Sequence, residues 1–278
     1  TECAYRLSSG GYGNRGMKQQ LEDVEVEIPN LSEKCPATLS STRAAFFAVF
    51  DGHAGRTAAE YCAEHLPVSI GNKIETPSDN ENVRKAIIDG FKETDQNYIA
   101  LANTKGYKDG CTAVTMTVVK DTCFIAWAGD SKLILARREA EDPGSRLKAL
   151  TITKDHTCMQ VKERDRIVKA GGFVEGNRVN GIMEVTRSIG DAQLKKSGVI
   201  SVPEIQRITL CSRDEFFLLA CDGLWRVMDA KEAVERCKVA LAQGKEESEA
   251  CMELVREAVR VREANDNVSA LIVRVAPV

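Results

Sequence analysis

The chain lacks the spacing that soft metals need, since its ten cysteines form no Cys-x-x-Cys pair and only three histidines accompany them. It lacks a long apolar run as well. The two longest, Ala44 to Phe50 and Phe216 to Cys221, fall far short of the roughly 18 residues of a membrane-spanning helix, so no membrane is expected. No stretch gathers lysine and arginine with interleaved aromatics, and 38 basic against 41 acidic side chains give a net charge of -3, so nucleic acid is not an expected partner either. Low-complexity blocks and internal repeats are absent, and the seven prolines are scattered, which favours one domain over two. The first residue is Thr1, so the lack of a secretion signal decides nothing about the full gene product. Location rests on the cysteines, which sit mostly within apolar stretches and read as buried thiols of a reducing interior, cytoplasmic or nuclear.

What is present suits a large single core, because 278 residues hide about three quarters of the surface of the unfolded chain and need no disulfide or structural zinc. Helical periodicity runs over Gly55 to Leu66, Glu81 to Ala102, Lys231 to Leu241 and Glu247 to Arg262, two pairs far apart in the chain. Between the pairs lie strand-like runs at 112–119, 122–128, 132–137 and 149–153, with a weaker helix near Gln160 to Ala170; further strands are expected at 205–210, 215–221 and 268–275. Connections as short as Lys120-Asp121 suit antiparallel hairpins, so the expectation is a mixed α+β domain with clustered strands. Gly11 to Gly16 formally matches a glycine-rich phosphate loop, but Lys18 to Ile28 leads into a strand-like alternation rather than a helix, so this segment is expected to be a flexible turn.

Aspartates stand at the ends of the most apolar strands. Phe46 to Phe50 ends in Asp51-Gly52-His53, Phe216 to Cys221 ends in Asp222-Gly223, and Asp266 precedes Val268 to Val273. Taken singly, an Asp-Gly after a strand is an ordinary turn. Several carboxylates beside apolar strand ends instead call for a cation, and oxygen donors favour Mg²⁺ or Mn²⁺ over zinc or copper. Glu22-Asp23, just before another strand, reads equally as part of such a cluster or as a solvated charge pair.

These residues resemble the metal-dependent serine/threonine protein phosphatases of type 2C, over about Gly16 to Val275. The motifs recur in the family's order: L-E-D at 21–23, F-D-G-H-A-G at 50–55, D-G-C-T-A at 109–113, A-G-D-S at 128–131, K-D-H at 154–156, T-R-S-I-G-D at 186–191, A-C-D-G-L-W at 220–225 and N-D-N-V-S at 265–269. The resemblance implies a four-layer α-β-β-α sandwich, two antiparallel sheets flanked by helix pairs, within a single domain spanning 1–278 whose first fifteen residues form an amino-terminal strand and glycine-rich turn. It implies two Mg²⁺ or Mn²⁺ ions, with Asp51 bridging them, the Gly52 carbonyl on one, Asp222 and Asp266 on the other, and Glu22 and Asp23 acting through water. It implies hydrolysis of phosphoserine and phosphothreonine in phosphoprotein substrates by a metal-bridging water, with His53 as the general acid, in a protein expected to be a monomer.

Three positions depart from that pattern. Lys18 stands where the family grips phosphate with arginine, keeping the charge but losing the bidentate fork, and Arg15 is a second candidate nearby. Tyr107 and Arg226 stand where a third metal's aspartates would be, so the third site is expected to be lost; Arg226 either takes that ion's place beside Asp222 or points into solvent, and the role of Asp109 is open. The stretch Ala192 to Gly198 is short for the family's substrate-side flap, which implies an open site. These departures also motivate an alternative, a catalytically weak or silent regulatory scaffold that keeps the fold.

Overall fold

The computed structural model describes residues 3–142 and 144–278. In chain order its strands are β1 Tyr5–Asn14, β2 Val24–Ile28, β3 Ala44–Phe50, β4 Gly52–His53, β5 Gly110–Cys111, β6 Ala113–Val119, β7 Thr122–Ala128, β8 Lys132–Arg138, β9 Leu147–Thr151, β10 Val174–Glu175, β11 Arg178–Val179, β12 Ile189–Gly190, β13 Glu204–Thr209, β14 Asp214–Ala220 and β15 Val268–Pro277. The helices are α1 Pro36–Leu39, α2 Thr57–Lys73, α3 Asn80–Lys105, α4 Val161–Lys169, α5 Asp222–Trp225, α6 Ala230–Ala242 and α7 Glu247–Arg260. Among the described residues no helix is long and apolar enough to cross a membrane.

Two five-stranded sheets, β1-β15-β14-β8-β9 and β13-β7-β6-β3-β2, are antiparallel throughout. Period-two alternation explains the layering. Ala45, Phe47 and Val49 of β3 point between the sheets, where they share a core with Phe217 and Leu219 of β14 and Leu271 and Val273 of β15. Phe46, Ala48 and Phe50 point the other way, into a core with Ala58, Cys62 and Leu66 of α2 and Ile87 and Phe91 of α3. On the opposite outer face Phe216, Leu218 and Ile272 meet Val234 and Cys237 of α6 and Leu254 and Val255 of α7. All seven residues of β3 are therefore buried, which is why its sequence is continuously apolar rather than alternating. The four-layer α-β-β-α sandwich is the observed architecture.

Helix α2 runs past the expected end at Leu66, through Pro67, to Lys73. Proline removes one amide donor, but burial of Leu66, Ile70 and Gly71, with Ile70 packed against Gly90 of α3, outweighs that loss. The glycine-rich segment is a correction. Residues 5–14 form an edge strand paired in register with β15, from Tyr5 opposite Pro277 to Asn14 opposite Val268. Glycine is needed there for approach rather than flexibility: a Cβ at Gly10 would lie 2.2 Å from the Ser248 amide nitrogen in the first turn of α7. Thr1 and Glu2 of the expected amino-terminal segment lie outside the described residues.

Candidate active site

The two sheets deliver carboxylates to one shared rim. From one sheet β3 leads into Asp51 and β7 into Gly129-Asp130; from the other β14 runs into Asp222 at the start of α5, and Asp266 lies just ahead of β15. A small sheet of two-residue strands, β12-β5-β4, lies beside them, pairing Gly52 with Cys111, His53 with Gly110 and Gly190 with Gly110. The approach at Gly110 is tight: a Cβ there would stand 2.1 Å from Asp191 Oδ2, so any side chain would displace that carboxylate. The strand expected over 112–119 is observed as β6 from Ala113, and Thr112, whose amide donates to the Asp51 carbonyl at 2.9 Å, separates it from β5.

The cleft has a volume of about 470 Å³ and is lined by Asp51, Gly52, His53, Glu22, Asp222, Asp266 and Lys18, together with Asp130, Asp191, Glu184, Lys108, Arg178 and Arg226. Seven carboxylates face four fixed positive charges, an imbalance that divalent cations would correct. Burial, then the charges of Asp23, Asp222 and Asp130, pushes Asp51 well above the usual carboxylate range. Asp23 is fully buried beneath the cleft, neither of its carboxylate oxygens has a hydrogen-bond partner, and burial raises it to about 7. Asp130 is pushed up to about 7 by burial and then by Asp222.

These residues fit Mg²⁺ or Mn²⁺. The donors are hard oxygens, and the unpartnered Asp23 carboxylate, within 4.8 Å of Asp51 and of the Cys221 thiol, is a buried polar group that a cation or its water would satisfy. Burial raises the Cys221 thiol well above its ordinary value, which favours its protonated form. Two of the candidate ligands already hold side-chain cations: Lys18 Nζ lies 2.9 Å from Asp266 Oδ1, and Arg226 Nη2 lies 2.5 Å from Asp222 Oδ2. The guanidinium therefore faces the carboxylate rather than solvent alone, and the hydrogen bond to Asp266 holds Lys18 above its usual value.

His53 Nε2 stands 2.9 and 2.8 Å from the two Asp191 oxygens. Burial works against the imidazolium, but the hydrogen bond and charge of Asp191 outweigh it and the net shift is upward. Asp191 is in turn held by Ser188 Oγ at 2.6 Å, while Asp95 takes the Gly190 amide at 2.9 Å. Neither Asp130 nor Asp191 was assigned a role from sequence. Asp130 follows an apolar strand as Asp51 and Asp222 do, and the same reading would have found it; Asp191 follows only two paired residues, too few to carry a strand pattern.

Arg15 is placed differently from the expectation. Its Nη1 donates to the carbonyls of Lys18 at 3.1 Å and Gln19 at 3.3 Å, so it shapes the loop that presents Lys18 and is not part of the cleft lining. Asp109 is buried, accepting from the Ala58 amide at 2.8 Å and from the Tyr98 hydroxyl, and so caps the start of α2. Tyr107 lies outside the cleft lining.

The stretch 192–198, expected to be a short flap, forms a 3-10 turn that gives Gln193 and Leu194 to the cleft, and the wall is extended by the β10-β11 hairpin and the residues after it, which bring Arg178, Ile182, Met183, Glu184 and Val185. This longer flap has its own small core of Cys158, Ile167, Val179, Met183, Val185, Leu194 and Val199, so it is a packed unit rather than a loop.

The profile of the family described as Protein phosphatase 2C matches residues 7–268. Probable protein phosphatase 2C 8 of Arabidopsis thaliana is 36% identical over 270 residues, which cover 94% of this chain and 76% of that protein. Integrin-linked kinase-associated serine/threonine phosphatase 2C of Homo sapiens is 38% identical over 279 residues, covering 94% and 70%. In fold the chain resembles a serine-threonine phosphatase 2C from Toxoplasma gondii, with a TM-score of 0.83 at 22% identity over 99% of this chain and 96% of that one.

Proposed function

The chain belongs to the protein phosphatase 2C family, whose members are serine/threonine protein phosphatases, and from that premise we propose that its cleft hydrolyses phosphoserine and phosphothreonine in proteins with two Mg²⁺ or Mn²⁺ ions. The observation that carries this reading is the convergence of Asp51, Asp222 and Asp266, from opposite sheets, on one cleft with His53 and above the unpartnered Asp23. Asp51, the Gly52 carbonyl, Asp222 and Asp266 would hold the ions, with Glu22 and Asp23 acting through water. Bound there, the ions supply Lewis acidity and lower the pKa of an attacking water toward neutrality.

The chain's own groups do the rest. Lys18 presents a charged ammonium to the substrate phosphate from the loop that Arg15 braces. His53 is the general acid for the departing serine or threonine oxygen. With Nε2 committed to Asp191, its Nδ1 is the nitrogen left to donate, and the upward shift that Asp191 produces favours the protonated ring this role needs. The same reading has the protein acting as a monomer and one domain in a reducing compartment, a location supported by ten free cysteines, eight of them buried.

The test is hydrolysis of a phosphothreonine peptide with Mn²⁺, with Mg²⁺ and with EDTA. Activity should vanish with the chelator and return with metal, and Asp51→Asn should remove most of it while leaving the metal-free protein folded. Unchanged turnover in Asp51→Asn would overturn the assignment. Silence of the wild type under every metal condition would favour a regulatory scaffold, in which Lys18 and Arg226 neutralise the ligands permanently.

A further inference from the structure

Arg226 does more than neutralise Asp222. The same Nη2 that lies 2.5 Å from Asp222 Oδ2 lies 2.7 Å from Glu184 Oε2, and the other oxygen of Glu184 pairs with Arg178 of β11. Arg178 also donates to the Ile182 carbonyl at 2.8 Å, closing the hairpin on itself. An unbroken ionic chain thus runs from a carboxylate at the end of β14 to the outer wall of the cleft. The flap's apolar residues form a small core of their own, separate from the cores of the body, and polar ties reach from the flap to the body. On the far side Lys195 reaches Asp95 of α3 at 2.9 Å. On the cleft side, Glu184 and Arg226 form the tie.

We propose that Arg226 is a positioning residue that clasps the flap to the metal-holding end of β14 through Glu184, setting how far the cleft opens to a phosphoprotein; the inference rests on the phosphatase reading of this cleft. A planar guanidinium suits this task, since it offers several donors in fixed directions and bridges two carboxylates at once. An isolated exposed pair would hold little, whereas a linked set of four charges with one partner half-buried holds more. Within this chain Asp222 holds the guanidinium from the body side and Glu184 receives it from the flap side, so Asp222 orients the donor that Glu184 uses.

The experiment is amide hydrogen exchange on the metal-free full chain, comparing wild type, Glu184→Gln, Arg226→Gln and the double variant at low salt. The amides of Val179, Asn180 and Ile182, bonded to the Met183, Phe173 and Val179 carbonyls, report the flap, and those of β3 report the body. Each single variant should speed flap exchange by about three- to tenfold, the range of a small ion-pair network, with β3 unchanged. The double variant should be no faster than the faster single, because both remove the same tie. Salt near 1 M should bring the wild type toward the variants. Unchanged flap exchange in either single variant, or additive effects in the double, would overturn the clasp. Parallel assays separate the two readings: no hydrolysis by the wild type with coupled exchange intact refutes the phosphatase reading alone. Hydrolysis with uncoupled exchange refutes the clasp alone. With both in place, Glu184→Gln should change KM for a phosphoprotein more than for a small aryl phosphate.

Discussion

Replacing Asp23 by asparagine should stabilise the metal-free protein at alkaline pH and lose that advantage as the pH falls. Burial, the largest cause, raises this carboxyl from 3.8 to about 7, and neither oxygen has a partner. The gap from 3.8 to about 7 sets a ceiling of ~4 kcal/mol, shared with the neighbouring acids that titrate with it. The unfolded chain releases this proton near 3.8, while the folded protein keeps it until about 7. Over that window the unfolded state binds fewer protons, so stability is fully present below the lower value and falls as pH rises through the upper one. Asparagine is of equal size and never ionises, but its buried amide still lacks partners, at a cost of about 1–3 kcal/mol. The variant should therefore be more stable than the wild type by roughly 1–3 kcal/mol at pH 8 and match it to within about 1 kcal/mol at pH 5. Urea unfolding in a chelator at both pH values measures this. Saturating Mn²⁺ should abolish the variant's advantage, since an ion that binds only the folded state stabilises the wild type more. The reasoning is refuted if wild type and variant show the same change in stability between pH 5 and pH 8.

Two further outcomes concern the substrate groups. Lys18→Arg should lower KM by restoring a bidentate fork, and Lys18→Ala should raise it by about one to two orders of magnitude if the contact contributes ~1.5–3 kcal/mol; a larger loss in Arg15→Ala, measured on the same peptide, would mean that bracing the loop outweighs the ammonium itself. Asp191→Asn removes the charge that lifts His53, so the alkaline limb of the kcat profile should move to lower pH; an unmoved limb would take His53 out of the acid role.

The parts legible in the sequence are those with a repeating pattern. The two helix pairs announce themselves by apolar spacing, and β3 and β14 by runs long enough to be buried on both faces, so Asp51 and Asp222 stand out at their ends. The small sheet β12-β5-β4 has no pattern to show, because two-residue strands have no period, and with it went Asp191. The glycines of β1 resembled a turn because residue type alone cannot distinguish a need for positive φ from a need for closeness, and the amide of Ser248 that demands closeness is 238 positions away in sequence. The extent of the flap is hidden for a similar reason. Its wall is built by Glu184 and its neighbours, and their seven-residue core is assembled from residues scattered between Cys158 and Val199.

That the candidate ligands come from opposite sheets has a mechanical consequence. Asp51 rides on one sheet, Asp222 and Asp266 on the other, and beside the cleft the short link 129–131 between β7 and β8, which carries Asp130, joins the two sheets. The gap is gauged by the side chains that separate the sheets, Phe47 and Val49 against Phe217, Leu219 and Leu271. This interior works as a caliper, its jaws carrying the carboxylates and its thickness fixed by packing far from any charge. Shaving one layer of it, as in Leu219→Ala, would alter the spacing between the two sets of carboxylates without touching a candidate ligand, and the fit of a cation would become a property of the hydrophobic core.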